Sequence, residues 1–587
     1  MINQEIAHIL NNISEYLAME DIEFKPRAYE KAAVNIEALN ESVFDIYKSG
    51  GIKALEEIPA VGYGIAKKIE EYIKTGKIKE YEQLKKKTPV DLEKLTSVHG
   101  IGPKSILRFY KELGVKNIED LEKAAKDKKI RQLEGFGFKS EENILMALKF
   151  FKNSSSRFPL GYVLYDLRNI EQRIKKLSGV KNTLLSGSVR RMKEDVGDAD
   201  MLVAVSSKKD AKKIMDYFIH MSEVAHIYNK GETKSSVKLK NYINFDIRVV
   251  DENSFGAASQ YFTGSKDHNI ELRKIAIKKG LKLNEYGIFQ IKNQKSKIKN
   301  SAKAEEEIYN KLGLKWIEPE LRENKGEIQA ALRQAQGKPD GLPKLIGYND
   351  LRGDLQMHSK WSDGMNTIEE MANEALKTGK EYILITDHFR PIFSNKLNSQ
   401  TVVKQWQEID KLNSKFKIQN SKFRILKGCE VDIMDNGELY LEDEILKKFD
   451  VVCASIHSNF KMQKGKMTER IIKAMKNPNV DIICHPTGRL IGARPAYKLD
   501  IEKIVQTAKE TGTILEINAY FNRLDLKDDY IRMAKNAGVK LAISSDAHSI
   551  SHFQYLELGI AQARRGWAEK KDIINAWPID KMLKTLK

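Results

Sequence analysis

The chain has 587 residues, more than one hydrophobic core normally serves, so several domains are expected. Its 100 Lys and Arg against 81 Asp and Glu give a net charge of +19, which favours a polyanionic partner. This charge is concentrated in residues 151–340, which carry +12, whereas residues 1–150 are neutral and the remainder carries +7. Since there is no signal peptide or membrane-spanning apolar run, and the three cysteines lack paired spacing, we expect a cytoplasmic protein with reduced thiols.

Residues 1–150 have helical periodicity and no convincing strand. Three short glycine turns recur there, each before a helical pattern, and their glycines are Gly62 and Gly64, Gly100 and Gly102, and Gly135 and Gly137. Glycine lets the backbone approach a phosphate, and helix N-termini bind phosphate without reading sequence. The turns resemble helix-hairpin-helix motifs, so we expect these glycines to contact DNA. For any single copy, an ordinary turn between helices is the alternative.

Two carboxylates follow a small-residue turn with two arginines. The turn is Gly187–Arg191, and Asp198 and Asp200 then precede an apolar run typical of a buried strand. Side chains two apart on a strand share one face, and Asp246 in a second strand pattern could join them. Three such carboxylates suit a two-metal phosphoryl-transfer site, with ions about 3.5–4 Å apart. The alternative is that these are solvated acids on strands.

After residue 350, apolar runs repeatedly end in His, Asp or Glu, with helical segments between them. Six of the eleven histidines lie in this region. The pattern predicts a β/α barrel whose site gathers at the carboxyl ends of the strands. Nitrogen and carboxylate ligands together suit Zn²⁺, Mn²⁺ or Fe. The predicted ligands are His358, Asp363, His388, Glu430, His457, His485, Asp546 and His548.

These motifs resemble two families. The first part is similar to family X DNA polymerases and the last part to the PHP (polymerase and histidinol phosphatase) domain, a combination found in bacterial and archaeal PolX proteins. The resemblance implies a multidomain α+β protein with an all-α helix-hairpin-helix N-terminal region. The implied segments are a small DNA-binding domain (1–88), fingers with helix-hairpin-helix (89–150), a nucleotidyltransferase palm (151–260), a thumb-type nucleotide-selecting subdomain (261–330), a linker (331–349) and a PHP β/α barrel (350–587).

The resemblance also implies roles for individual residues. Asp198, Asp200 and Asp246 would hold two Mg²⁺, and the PHP ligands two or three Mn²⁺ or Zn²⁺ ions. Gly187, Ser188 and Arg191 match positions that contact the triphosphate. Tyr261, Phe262 and Gly264 belong to a motif that screens the sugar. Asn269 and Arg273 match contacts to the incoming base and the template minor groove, where amide and guanidinium donors meet acceptors present on every base pair.

Three departures from the family pattern stand out. Asn244 replaces an arginine that pairs with the third aspartate in animal members. Gln356 replaces the first histidine of the His-x-His motif, and an amide oxygen is a weaker ligand than imidazole for these metals. Lys68 matches the lysine of a Schiff-base lyase, but Gly64 and Glu80 replace two nearby lysines, so a solvated lysine is the competing interpretation.

The implied function is DNA-directed polymerisation that fills short gaps in base-excision repair, with a metal-dependent 3′–5′ exonuclease in the PHP domain. AP-site cleavage or cleaning of 3′ ends by the same barrel would fit the family. We expect gapped or nicked DNA and dNTPs as partners, no membrane, and a monomer. Three alternatives stay open: a PHP phosphoesterase or nuclease whose polymerase half mainly docks DNA, a catalytically idle DNA-binding scaffold, and a template-independent transferase.

Overall fold

The structure is a computed structural model, and it describes every residue except 1, 21–24, 38, 40, 59, 97, 99–100, 153–156, 291–301, 391–396 and 419–421. Gly100, one of the glycines expected to contact DNA, therefore lies outside the described residues. The chain divides into two compact units. Unit 1 comprises Met1–Ser156, Ile170–Leu184 and Gly197–Asp251, and unit 2 comprises Arg157–Asn169, Leu185–Val196 and Glu252–Lys587.

The N-terminal part of unit 1 is helical throughout its described residues. Its buried faces repeat apolar residues at helical spacing, as Ile65, Ala66 and Ile69 do. The helices, numbered along the chain, are α1 (Ile2–Met19), α2 (Lys25–Glu37), α3 (Val43–Glu56), α4 (Tyr63–Thr75), α5 (Lys79–Lys87), α6 (Leu92–Thr96), α7 (Pro103–Leu113), α8 (Ile118–Lys126) and α9 (Phe138–Lys152). The predicted helical character of this region is confirmed.

The strands that carry the carboxylates form a five-stranded sheet in the order β2-β4-β7-β6-β5. Its elements are β2 (Val180–Ser186), β4 (Asp198–Val205), β5 (Val224–Lys230), β6 (Lys234–Leu239) and β7 (Asn244–Asp251), with helix α12 (Lys208–Ile219). β4 and β7 are parallel, whereas β6 is antiparallel to β7. Phe218 of α12 packs edge-on against Phe245 of β7, with ring centroids 5.4 Å apart, so α12 buries one face of the sheet.

The first part of unit 2 is mainly helical with two short antiparallel strand pairs. The pairs are β1 (Phe158–Pro159) with β3 (Asp195–Val196), and β8 (Leu281–Asn284) with β9 (Gly287–Gln290). The helices are α10 (Leu160–Lys175), α11 (Gly187–Arg190), α13 (Phe255–Thr263), α14 (Lys266–Lys278), α15 (Glu305–Lys311) and α16 (Glu327–Ala335). A core that includes Leu272, Ile308 and Tyr309 holds α14 and α15 together.

The rest of unit 2 is a barrel of parallel strands in the order β10-β11-β13-β14-β15-β16-β17, with β12 beside β13. A parallel bridge between Met357 and Ala547 brings the first and last strands together, so the barrel is nearly closed. The strands are β10 (Gly353–Met357), β11 (Tyr382–Ile385), β12 (His388–Phe389), β13 (Arg424–Asp432), β14 (Val451–Ser455), β15 (Ile482–Ile483), β16 (Ile514–Asn518) and β17 (Leu541–Ser544). The predicted fold class is confirmed.

Helices surround this barrel and bury its outer face. They are α17 (Ile368–Lys377), α18 (Val402–Ile418), α19 (Asp443–Leu446), α20 (Lys464–Met475), α21 (Ile501–Thr511), α22 (Asp528–Ala537), α23 (Leu556–Arg565) and α24 (Ile579–Leu583). The strands are mostly apolar because both faces are covered. Among the described helices, none has the length and apolar composition needed to cross a membrane.

The segment 331–349, predicted as a linker, is anchored near both of its ends. Its first residues continue α16, and Ala331 is fully buried in the core that includes Leu272 and Tyr309. Farther along, Ile346 is fully buried in the barrel core, and its N–H donates to the carbonyl of Ala568 at 3.0 Å. Residues 332–340 between them are exposed.

Candidate active sites

The three predicted carboxylates lie on two neighbouring strands of the five-stranded sheet. In the parallel register of β4 and β7, Asp200 stands opposite Asp246, and Asp198 stands opposite Asn244. Because alternate residues of a strand share a face, all three carboxylates project from the same side of the sheet. Burial raises the pKa of Asp200 to about 6, with the neighbouring carboxylates Asp198 and Asp246 adding to the rise. Divalent cations would relieve this repulsion, so the donor set fits metal ions.

Asp246 has a positive partner that the sequence analysis missed. The ammonium of Lys234 lies 2.6 Å from a carboxylate oxygen of Asp246. Lys234 belongs to β6, where Lys234, Ser236 and Lys238 alternate along one face, with Ser236 directly opposite Asp246. The alternation was visible in the sequence, but pairing of this strand with the one that carries Asp246 was not. Asn244 stands where animal members have an arginine, and here Lys234 on a different strand supplies the positive charge beside Asp246.

The arginines of the Gly187–Arg191 turn have different partners. Arg190 forms a two-pronged ion pair with Glu305 at 2.8 and 3.0 Å. Burial acts to raise the pKa of Glu305, but Arg322 and Arg190 hold it well below its ordinary value. Arg190 is therefore part of a buried structural network. Of the two arginines of the turn, only Arg191 is among the predicted triphosphate contacts.

Arg191 instead contacts the segment that contains the sugar-screening motif. Its Nε donates to Glu323 at 3.0 Å, and its Nη1 donates to the carbonyl of Thr263. These contacts use two of the five N–H donors of the guanidinium. Gly264 has φ +67°, and a Cβ there would lie 3.2 Å from Nη1 of Arg191, so both backbone and space favour glycine. The turn and the motif thus meet in unit 2.

Residues predicted to select the nucleotide are partly engaged within the protein. The rings of Tyr261 and Phe262 are perpendicular, with centroids 5.1 Å apart. Asn269 is largely buried, its amide N–H donates to the carbonyl of Tyr261 at 2.7 Å, and its oxygen accepts from Gln260 at 2.7 Å. In this structure Asn269 braces the motif, while Arg273 donates to the carbonyl of Asn269 at 3.2 Å.

Lys68 has an acidic neighbour. Its ammonium lies 3.1 Å from Glu80, and the hydroxyl of Tyr29 donates to the same carboxylate at 2.9 Å. Schiff-base formation uses the amine of a lysine as nucleophile. Glu80, which replaces a lysine of the family pattern, therefore directly contacts the Lys68 amine that such a reaction would need.

Two of the glycine turns end directly before a helix, and the first turn overlaps the start of one. Gly102 and Gly137 come directly before α7 and α9, but α4 begins between Gly62 and Gly64. Gly62 and Gly102 have extended backbones, and a Cβ at Gly62, Gly64 or Gly102 would meet nothing within 4 Å. Neither packing nor backbone conformation requires glycine at Gly62 or Gly102, whereas Gly135 has a φ of +76°, which favours glycine.

The eight predicted ligands of the barrel lie at or just beyond strand ends and face one another. Glu430 is central: its carboxylate oxygens lie 2.8 Å from His485, 3.2 Å from His388, and 3.4 Å from both His457 and His358. Asp363 lies 3.5 Å from His548 and 3.7 Å from His388. Within the described residues, two groups have ligand atoms close enough for one ion each: His358, Asp363, His388 and His548, and His388, Glu430 and His457.

The donor chemistry of this cluster fits metal ions. His358 is fully buried, and neither of its ring nitrogens has a hydrogen-bond partner; Nε2 of His548 likewise has none. Buried imidazole nitrogens without partners are costly unless a ligand satisfies them. His485 and Asp546 adopt φ values of +31° and +51°, which non-glycine residues rarely do outside functional sites.

Asp432 is a further residue that the sequence analysis missed. Its carboxylate lies 2.6 Å from Nδ1 of His457, which leaves Nε2 of that ring directed at Glu430. A carboxylate on the far nitrogen of a ligating histidine fixes the ring orientation and its basicity. The signal was available, because Asp432 follows Glu430 by two residues on the same strand and therefore shares its face.

Gln356 is fully buried on β10 and accepts a hydrogen bond from Asn518 at 3.4 Å. Asn518 also donates to Asp546 at 3.2 Å, and Arg523 lies 3.3 Å from the same oxygen of Asp546. Gln356 therefore lies beside an amide group that also binds Asp546. Gln356 itself stands where the family pattern has a histidine.

Three carboxylates on paired strands beside a sheet lysine are suited to nucleotidyl transfer, and a histidine-rich barrel to metal-dependent hydrolysis of phosphoesters. The fold and its two sites therefore define a nucleotidyltransferase joined to a PHP domain. Family models match the chain accordingly: a helix-hairpin-helix domain at residues 1–78, a SAM-like helix-hairpin-helix tandem at 92–149, a DNA polymerase beta thumb at 258–323 and a PHP domain at 354–520.

Similar proteins match either the whole chain or its PHP part alone. The chain is 37% identical over 580 residues to the DNA polymerase/3′-5′ exonuclease PolX of Bacillus subtilis (strain 168), covering 98% of both chains. It is also 39% identical over 193 residues to a "probable phosphatase" of Thermoanaerobacter sp. (strain X514), covering 31% of this chain and 73% of that protein. A "probable phosphatase" of Acetivibrio thermocellus is 33% identical over 196 residues, with the same coverage. The chain belongs to the PolX family of DNA polymerases with a PHP domain.

Proposed function

We propose that this protein fills short gaps in DNA during base-excision repair and that its PHP barrel removes nucleotides or blocking groups from 3′ ends. The observation that carries the polymerase half is the register of β4 and β7, which aligns Asp200 with Asp246 on the face that Asp198 shares. The histidine cluster around Glu430 carries the nuclease half. Addition of dNTPs to a gapped, 5′-phosphorylated duplex, assayed beside degradation of the same DNA, tests both.

In the polymerase half, Asp198, Asp200 and Asp246 would hold two Mg²⁺ ions. These ions, when bound, activate the primer 3′-hydroxyl and neutralise the triphosphate. Lys234 pairs with Asp246 and orients it among like charges. Gly187, Ser188 and Arg191 contact the triphosphate, and Tyr261, Phe262 and Gly264 screen the sugar. Asn269 braces that motif, and Arg273 contacts the template strand.

In the PHP half, the eight ligands would hold Mn²⁺ or Zn²⁺, which supply hydroxide at neutral pH. His388 belongs to both groups of ligands, Glu430 lies against histidines of both, and Asp432 orients His457. AP-site cleavage at the same centre is a further activity of this proposal.

The helix-hairpin-helix glycines contact the DNA backbone in this proposal. The protein acts as a monomer in the cytoplasm on gapped or nicked DNA. For Lys68 to act as a lyase residue, its amine would have to leave the ion pair with Glu80.

A second function has one observation in its favour. Relatives that match only the PHP part are named probable phosphatases, and the chain covers about three quarters of their length. The PHP half could therefore serve as a phosphoesterase while the polymerase half mainly docks DNA. This alternative predicts that loss of Asp198 leaves every measurable activity of the chain unchanged, whereas gap filling requires that carboxylate.

Lys234→Met should slow nucleotide addition about tenfold without changing the KM for dNTP, since a charge-assisted hydrogen bond contributes about 1.5–3 kcal/mol. The reason is that Asp246 loses the cation that orients it. Lys238→Met is the matched control, because Lys238 lies on the same strand and face but pairs with the ring of Tyr242, 5.4 Å away. Single-turnover rates on gapped DNA distinguish the two, and equal rates for both variants would rule out a special role for Lys234.

Gln356→His should raise the metal content of the purified protein, because imidazole binds Mn²⁺ and Zn²⁺ more tightly than an amide oxygen. We expect about one additional ion per chain, or roughly tenfold tighter binding of the weakest ion. Elemental analysis after dialysis gives the count, and Gln356→Leu controls for the change in shape. Identical metal content in all three proteins would remove Gln356 from the account of the metal centre.

A further inference from the structure

The Gly187–Arg191 turn is tied to the PHP barrel by a buried arginine. Arg565, the last residue of α23, donates through Nη1 to the carbonyl of Arg191 at 3.0 Å and to Glu323 at 3.1 Å. Its Nη2 donates to Asp528, the first residue of α22, at 2.8 Å. Only 4% of the Arg565 side chain is exposed, so water competes little for these bonds. A guanidinium holds such partners in one plane with a rigid fork of donors, a geometry that the ammonium of lysine does not reproduce.

The same contact fixes the position of the Arg191 side chain. Nε of Arg191 lies 3.0 Å from Glu323, and Arg565 is bound through the same carboxylate oxygen. Asp528 balances the charge of Arg565, so the effect of Arg565 on Arg191 is one of position rather than of charge. Arg565 thus holds both the backbone of Arg191, through its carbonyl, and the carboxylate that its guanidinium contacts.

A second tie lies three residues beyond Arg191. Arg489 of the barrel holds Glu194 in a two-pronged ion pair at 3.1 and 2.7 Å, and Glu194 accepts a further bond from Gln562 at 3.4 Å. Arg489 is itself fixed by the carbonyls of Arg523 and Leu524. The backbone that follows the turn is therefore held by the barrel at two separate points.

We propose that Arg565 is a positioning residue for the polymerase reaction, through which the PHP barrel holds Arg191 ready to bind the triphosphate of the incoming nucleotide. The inference rests on the proposed function, because contact of Arg191 with the triphosphate is part of that proposal. It goes further in assigning the barrel a part in nucleotide binding that is separate from its own metal centre.

The neighbouring residue provides a matched control. Arg564 lies on the same helix, is also largely buried, and forms ion pairs with Glu320 at 2.7 Å and Glu318 at 3.0 Å. It also donates to the carbonyl of Ile346 at 2.8 Å. Arg564 thus holds the same two parts of unit 2 together without touching the turn, so its loss should affect stability in the same way as loss of Arg565.

The test is the affinity of a non-hydrolysable dNTP for the full-length protein on gapped DNA, measured by calorimetry, with the thermal midpoint recorded for each variant. Arg565→Met should weaken binding about tenfold, or raise the KM for dNTP equally, with kcat changed less than threefold. Arg564→Met should lower the thermal midpoint comparably but change the affinity less than twofold. Arg565→Lys should fall between wild type and Arg565→Met.

Equal affinities for Arg565→Met and wild type, or equal losses in both methionine variants, would overturn the proposal. If Arg565→Met does not fold, Asp528→Asn decides, because it removes the anchor of Arg565 on α22 while preserving shape. We expect that variant to weaken dNTP binding several-fold, and unchanged affinity would count against the proposal. A wild-type protein that binds dNTP but adds none would contradict the proposed function alone, since the binding comparison does not depend on turnover.

Discussion

Asp246→Ala is expected to abolish nucleotide addition, with a loss of about a thousandfold or more, while degradation of DNA continues at the wild-type rate. Asp246 stands opposite Asp200 in the parallel register of β4 and β7, so its removal takes away one of the three carboxylates that would hold the ions. Asp198 and Asp200 alone would offer fewer oxygen ligands to divalent cations. Single-turnover extension of a gapped duplex with Mg²⁺ measures the loss.

Asp251→Ala is the control for this variant. Asp251 is an exposed acid at the far end of the same strand, opposite Val205 and away from the triad. It should extend DNA at the wild-type rate. The contradicting outcome is an Asp246→Ala protein that extends primers normally, which would show that these carboxylates serve some other purpose than nucleotidyl transfer.

His485→Ala should have the opposite effect. We expect DNA degradation to fall by about a hundredfold or more, with extension unchanged. His485 is buried, and its Nε2 lies 2.8 Å from Glu430, so the substitution removes the closest histidine to the central carboxylate. Burial lowers the pKa of His485 to about 4, with Arg523 contributing, so at neutral pH its nitrogen is available to a metal.

Metal content provides a second readout for His485→Ala. The variant should retain less Mn²⁺ or Zn²⁺ after dialysis than the wild-type protein does. A variant with wild-type degradation and wild-type metal content would exclude His485 from the metal centre. A variant that loses extension as well as degradation would argue that the substitution disturbs the fold rather than the PHP centre.

Most of the fold could be predicted from the sequence, because strand periodicity and polar residues at the ends of apolar runs are local signals. Their spacing of two residues is enough to predict that Asp198 and Asp200 share one face of a strand. The same argument located the barrel residues, since His388, Glu430 and His485 all belong to apolar runs of strand length. Site residues that recur at the same place in a repeated strand pattern can therefore be found from the sequence.

What could not be predicted depends on contacts between distant parts of the chain. Lys234 meets Asp246 only because β6 pairs with β7 in a particular register. Arg565 is 374 residues from Arg191, and nothing near either residue indicates that they touch. Ile346 packs in the barrel core from a short segment without helix or strand periodicity, so its sequence gives no local signal of that contact.

The most direct test of the account is one gapped, 5′-phosphorylated duplex incubated with wild type, Asp246→Ala and His485→Ala, with and without dNTPs. The account predicts that wild type extends and degrades, that Asp246→Ala only degrades, and that His485→Ala only extends. Loss of both activities in either variant, or persistence of both, would contradict the claim that this chain has two separate metal sites with opposed activities.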